Sequence, residues 1–140
     1  MNAALCDANV VVKWFHDEPG VQTPAARRLA EASEDGLVEL KVLDLTYYEA
    51  GNTFRKLGAS GLVIAGVLEQ IHEVCGPGLV MDRQRRAAVA EVAHSAGLSF
   101  YDAAYVALAT QHQLTLVTAD KAVVRAGGVL PSRYVETLRA

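Results

Sequence analysis

Short apolar runs with an acid at or just past their ends recur along this chain, separated by longer stretches of helical period. Ala3 to Cys6 is one such run and stops at Asp7. Leu114 to Thr118 is another, with Asp120 two residues on. A strand this short and this continuously apolar is covered on both faces, and helices packed on either side of a parallel sheet supply that cover. The alternation therefore predicts an α/β protein built as three layers, α/β/α, around a central, mostly parallel sheet.

Five short strands are predicted: Ala3 to Cys6, Val38 to Leu45, Leu79 to Met81, Leu114 to Thr118, and a weak last one after Gly127-Gly128. A helix is expected to follow Asp7 through Val11, Val12, Trp14 and Phe15, until Pro19-Gly20 breaks it. Pro24 fits a first helical turn, and Ala25 to Ala32 reads as a solvent-facing helix. The next helix opens at Thr46-Tyr-Tyr-Glu49, with Tyr47, Ala50, Phe54 and Leu57 as its apolar stripe and Glu49, Asn52 and Lys56 sharing another face. After Gly58-Ala-Ser-Gly61 an apolar helix carries Ile64, Leu68, Ile71 and Cys75 on one side and ends at Gly76-Pro77-Gly78. Gln84 to Ser95 is predicted helical, and a further, mostly apolar helix begins near Asp102.

At 140 residues the chain suits a single domain, 1–140, large enough to bury a core without disulfides or a structural metal. No apolar run approaches membrane-spanning length. The first residues, MNAALCDANVVVKWF, lack a basic leader and a small-residue cleavage site, which points to the cytoplasm. Cys6 and Cys75 have no CxxC spacing and read as buried thiols in a reducing compartment. The net charge of −3 excludes a broad basic footprint, so any nucleic acid must be met by positive charge from elsewhere.

Four acids occupy related positions. Asp7 and Asp120 follow strands, Glu49 and Asp102 lie in the first turns of helices, and sites in open parallel sheets gather beyond the carboxyl ends of the strands. Helix capping accounts for three of the four: Thr46-x-x-Glu49 and Ser99-x-x-Asp102 match the capping-box pattern, and Asp120 fits a cap of the helix after it. Asp7 has no such account, and capping does not explain why all four share one sheet edge. Carboxylates crowded together raise one another's pKa unless a cation sits among them. With oxygen donors and no His or Cys pairing, that cation is Mg²⁺, with Mn²⁺ a plausible substitute. A filled acidic pocket then attracts phosphate oxygens, which offsets the missing basic footprint.

The segments LCDANVVVKWF, YYEAGN, LSFYDAAYVALA and LTLVTAD, in this order and spacing, resemble the PIN domain, and among PIN proteins the VapC-like toxin ribonucleases of type II toxin-antitoxin modules. The resemblance spans nearly the whole chain. It implies that Asp7, Glu49, Asp102 and Asp120 form an acidic metal site, that Thr118 is a polar helper beside it, and that Asn9 and Asn52 support it. It also implies a Mg²⁺-dependent endoribonuclease that hydrolyses RNA, forms a homodimer and pairs with an antitoxin protein.

Lys13, Arg55, Lys56 and the Arg83, Arg85 and Arg86 cluster either rim a groove for the RNA backbone or lie on solvated helix faces. The helix from Gly58 to Cys75 is either partly exposed as an interface or buried all round in the monomer. Two other functions fit parts of the pattern. A receiver-like phospho-acceptor domain shares the α/β plan, but Asp7 is followed by Ala8 where receivers have a second acid. A PIN-like module that binds RNA or protein without cutting retains the acids and differs only in lacking metal-dependent cleavage. No G-x-S-x-G, P-loop or dinucleotide fingerprint is present, and the four histidines form no metal motif.

Overall fold

The computed structural model describes residues 2–138. Its sheet has three parallel strands in the order β2-β1-β3, with β1 (Asn2–Cys6) in the centre, β2 (Val38–Lys41) on one side and β3 (Thr115–Val117) on the other. Ala4 pairs with both Leu40 and Thr115, and Leu5 with both Lys41 and Leu116. Side chains alternate across a strand, so β1 feeds two cores. Ala4 and Cys6 join the cluster of Val10, Leu29, Leu40 and Ile71, whereas Leu5 joins that of Val89, Tyr105, Leu108 and Leu116. This double burial is the reason β1 is apolar at successive positions, and it makes the protein three-layered as expected.

Three strands form, not five. The third predicted strand is reduced to one parallel bridge, Leu43 to Leu79, and the last to another, Val117 to Val129. Both lie at the sheet edges, where the chain turns away at once. Asp82 caps the turn Arg83–Arg85 just after the first bridge, and Pro131 opens a helix just after the second. Gly78 permits the first approach, because a Cβ there would collide with the backbone of Asp44.

The helices are α1 (Ala8–Val11), continued by a 3-10 turn Val12–Trp14, then α2 (Gln22–Glu34), α3 (Asp44–Lys56), α4 (Gly61–Cys75), α5 (Arg86–Ala96), α6 (Phe100–Gln111), α7 (Lys121–Arg125) and α8 (Pro131–Leu138). Four details depart from the sequence-based expectations. β2 stops at Lys41, because Leu43 is already the N-cap of α3. α2 is amphipathic, burying Thr23, Ala25, Ala26, Leu29 and Ala32. Leu57, expected in the apolar stripe, is the exposed C-cap of α3. α8 was not expected at all: it buries Tyr134 and Val135 and is tied to α2 by Gln22 and Ser132, whose side chains bond at 3.0 Å.

α4 buries Val67, Ile71 and Cys75 but leaves Leu62 and Val63 86% and 53% exposed, so it is not covered all round. Cys6 and Cys75 are buried free thiols. No helix among the described residues is long and apolar enough to cross a membrane.

Candidate acidic site

Asp7 leaves β1 with its backbone N–H bonded to Val117 O at 3.0 Å, and its extended backbone makes it the N-cap residue of α1. Its side chain does not cap. Instead Oδ2 accepts the Thr118 hydroxyl at 2.8 Å and the Asn9 amide at 3.3 Å. Asn9 Oδ1 accepts Ala119 N–H at 3.0 Å, and Thr118 Oγ1 accepts Asp120 N–H at 3.1 Å, so the ends of β1 and β3 are stitched together around one carboxylate. Asp7 is 5% exposed and Thr118 fully buried.

Glu49 lies on the second turn of α3. The capping box expected between Thr46 and Glu49 does not form, because the helix starts two residues earlier and Thr46 is its third residue. Thr46 Oγ1 accepts Leu43 N–H at 3.0 Å and contacts Tyr105 Oη at 2.7 Å, while Tyr105 donates its one proton to Glu49 Oε1 at 2.8 Å. A phenol has a single proton, so Thr46 is the donor to Tyr105, and a buried relay of hydroxyls fixes Glu49 from below.

Asp102 sits in the first turn of α6, where Ser99 caps the helix by accepting Asp102 N–H at 3.1 Å. Asp120 caps α7, its Oδ1 accepting Ala122 N–H at 2.8 Å and Val123 N–H at 3.4 Å. For Asp120 the capping account holds as it stands.

Asp7, Glu49 and Asp102 line one pocket of ≈ 300 Å³, together with Asn9, Lys13, Glu18 and Thr53. Burial pushes Asp7 up to about 7, and the charges of Glu49 and Asp102 push the same way against the Thr118 hydrogen bond. Burial also raises Glu49, with Tyr105 pulling it down and Asp102 adding to the rise. Asp102 is raised by burial and by Asp120, against Ser99. Asp7 thus feels Glu49 and Asp102, Glu49 feels Asp102, and Asp102 feels Asp120, which does not line the pocket.

Asn52 is not part of this group. It is exposed on the outer face of α3, where its Oδ1 accepts Arg55 Nε at 3.3 Å, and Thr53 lines the pocket in its stead. Arg55, Lys56, Arg83 and Arg86 are exposed and outside the pocket, and Arg85 pairs with Asp82. Lys13 alone of the basic candidates enters it. Glu18, Thr53 and Tyr105 were missed by the sequence reading. The spacing of Tyr105 three residues after Asp102 was a usable signal for Tyr105, whereas Glu18 reaches the pocket only because the helical turn ends at Trp14, short of the expected break at Pro19-Gly20. Among the described residues no three His, Cys, Asp or Glu side chains stand arranged as a ready metal cage.

The family profile described as PIN domain matches residues 4–129. The chain is 37% identical over 84 residues to Exonuclease VapC9 of Pyrobaculum aerophilum, a match covering 59% of this chain and 63% of that protein. Its fold is that of the crystal structure of PAE2754 from the same organism, with TM-score 0.68 and 24% identity over 99% of this chain and 96% of the other. FitAcB from Neisseria gonorrhoeae also superposes, with TM-score 0.65 and 24% identity, covering 91% and 94%. FitAB bound to the IR36 DNA fragment gives TM-score 0.69 and 21% identity, covering 92% and 95%. A profile match over most of its length, meeting a three-layer fold with its acids at one sheet edge, makes this chain a member of the PIN domain family.

Proposed function

We propose that the chain is a Mg²⁺-dependent endoribonuclease, the toxin of a toxin-antitoxin pair, acting in the cytoplasm through the pocket of Asp7, Glu49 and Asp102. One observation carries this reading. Three carboxylates from three remote elements share a pocket in which each is held above its ordinary pKa, Asp7 up to about 7. Such crowding of acids around a buried one destabilises a fold and persists where it serves a site.

The residues fit a hard divalent cation. The carboxylate, hydroxyl and amide donors of Asp7, Glu49, Asp102, Asn9 and Thr53 present oxygen, as Mg²⁺ and Mn²⁺ prefer. Mg²⁺ keeps several waters and takes only one or two carboxylates directly, so a cage of three converging side chains is not required of it. Asp7, Glu49 and Asp102 would hold the ion, with Asp120 adding negative charge through its effect on Asp102. Bound there, the ion supplies a water of lowered pKa and offsets the charge that develops on a phosphodiester undergoing hydrolysis. The chain's own part is placement: Thr118 and Asn9 hold Asp7, and Thr46 and Tyr105 hold Glu49.

The relative named as an exonuclease supports nucleic-acid cleavage as the class of reaction. Its name leaves open internal or terminal cutting, which the lengths of the products distinguish. The receiver-like alternative has no support from the family match. Purified protein incubated with RNA and Mg²⁺ is expected to release internal fragments, to stop with EDTA, and to lose this activity as Asp102→Asn. Cleavage undiminished by both EDTA and the substitution refutes the proposal. RNA binding without any cleavage would instead favour the non-cutting module.

A separate apolar groove at the starts of α3 and α6 is lined by Leu45, Tyr48, Val80, Met81, Phe100 and Tyr101, with Tyr48 72% and Tyr101 62% exposed. Together with Leu62 and Val63 on α4 it supports a homodimer and an antitoxin partner. Light scattering behind size exclusion is expected to give twice the chain mass.

A further inference from the structure

Lys13 is a buried cation at the acidic pocket. Its residue is 8% exposed, its Nζ donates to Asn9 O at 2.9 Å and pairs with Glu18 Oε2 at 2.8 Å, and both partners line the pocket of Asp7, Glu49 and Asp102. The segment from Lys13 to Asp17 is already anchored on its other side, to α2. Arg27 Nε donates to Lys13 O at 3.0 Å, Arg27 pairs with Asp17 at 2.7 Å, and Trp14 Nε1 donates to Ala26 O at 2.9 Å. Burying an ammonium is costly, and Lys13 bears that cost beside the acidic pocket. The lysine's placement has a different consequence: it sets one positive point charge at the wall of an otherwise anionic pocket, held at its stem side by the Asn9 carbonyl. The helical turn from Asn9 to Lys13 couples that charge to the amide that orients Asp7.

We infer that Lys13 contacts the phosphate of the bound nucleic acid, and that Glu18 is the placeholder the phosphate displaces. This rests on the nuclease reading and deepens it by naming the group that receives a substrate phosphate. Lys13 is a point-charge donor with three N–H bonds, one kept by Asn9 and one exchanged from carboxylate to phosphate oxygen. Glu18, with 36% of its side chain exposed, is free to swing out to water when the exchange occurs.

The two partners make opposite predictions, which a structural ion pair does not. Binding of a fluorescein-labelled single-stranded oligoribonucleotide is measured by anisotropy across a salt series in EDTA, and KM and kcat are measured with Mg²⁺. Lys13→Met is expected to weaken binding about tenfold, to raise KM more than it lowers kcat, and to reduce the slope of log K against log salt by roughly 0.7. Glu18→Gln is expected to tighten binding about two- to fivefold. That gain must vanish in the double variant, since it acts through Lys13, whereas a generic loss of negative charge would survive there. Lys13→Arg should restore most of the binding. Both single variants weakening binding together, or Glu18→Gln still tightening it without Lys13, overturns the inference, and Glu18→Gln alone decides the sign if Lys13→Met fails to fold. A wild type that cleaves while Lys13→Met keeps its KM and salt slope sinks this inference alone. A wild type that neither binds nor cleaves sinks the nuclease reading with it.

Discussion

Two junctions of this fold start alike and end differently. At the end of β1 and just past β3 a strand gives way to an aspartate in the N-cap position of a short helix. Asp120 spends its carboxylate on the backbone, accepting Ala122 and Val123 N–H groups at the start of α7. Asp7 makes no such bond, and its oxygen is held by the Thr118 hydroxyl and the Asn9 amide in a buried pocket. A cap stabilises its helix by about 1 kcal/mol and is reason enough for an acid. Asp7 gains no cap and carries the penalty of burial beside Glu49 and Asp102. The comparison separates an acid that serves the fold from one that serves something the fold must tolerate.

Substituting the tolerated acid should therefore give the largest effects, and with opposite signs on stability and activity. Asp7→Asn is expected to abolish metal-dependent cleavage, a loss beyond the roughly 10–100-fold typical of outer partners of a metal site. It is also expected to stabilise the metal-free protein at pH 8. The sign follows from linkage: with a folded pKa of about 7 against an ordinary 3.8, the folded state binds more protons, so stability falls as pH rises through that window. The upper limit is on the order of 4 kcal/mol, and thermal melts of both proteins from pH 4 to 8 without metal check it. Asp7→Asn should flatten that dependence.

Thr118→Val comes next. It keeps the shape but removes the hydrogen bond that holds Asp7 down, so the pH at which cleavage reaches half its maximum should move up and metal affinity should fall roughly 10–100-fold. The closeness of Gly128, where a Cβ would strike the Thr118 methyl, shows how tightly this residue is placed. Asp120 then sharpens the contrast from the other side. Asp120→Ala should cost about 1 kcal/mol through the lost cap, whereas Asp120→Asn keeps the cap and the melting temperature. Cleavage that falls in Asp120→Asn at unchanged stability would show that this acid also serves the pocket. Tyr105→Phe should have the smallest effect on chemistry: about 1 kcal/mol of stability from the broken relay through Thr46, and a Glu49 carboxyl raised further, read from its NMR titration.

Much of this was legible in the chain because burial on two faces leaves a mark. β1 from Ala3 on, and β3 at Leu116 and Val117, are apolar at successive positions, and the acids after them fall where parallel strands end. Edge elements leave weaker marks. Leu79 and Val129 make one bridge each, so their short apolar stretches overstate them as strands, and α8 was hidden because Gly127-Gly128 and the apolar residues just after it read as a last strand. Thr46 misled because a hydroxyl three residues before an acid fits a cap as well as a buried relay, and only the start of α3 at Asp44 decides between them. Asn52 and Thr53 are neighbours on one helix, and a rotation of one residue moves the pocket-facing role from the first to the second. Lys13 was a candidate for the groove but not distinguishable from Arg55, Lys56 or the Arg83–Arg86 cluster, because nothing local tells of its pairing with Glu18 or of the carboxylates from α3 and α6.

The most direct test of the central claim, that Asp7 is buried to meet a divalent cation, is calorimetric titration of the protein with Mn²⁺ at pH 6 and pH 8 in buffers of differing ionisation enthalpy. An Asp7 carboxyl pushed up to about 7 must lose its proton to bind, so close to one proton should be released at pH 6 and almost none at pH 8, and Asp7→Asn should abolish the binding. Binding of equal strength in Asp7→Asn, or none in the wild type at either pH, would contradict it.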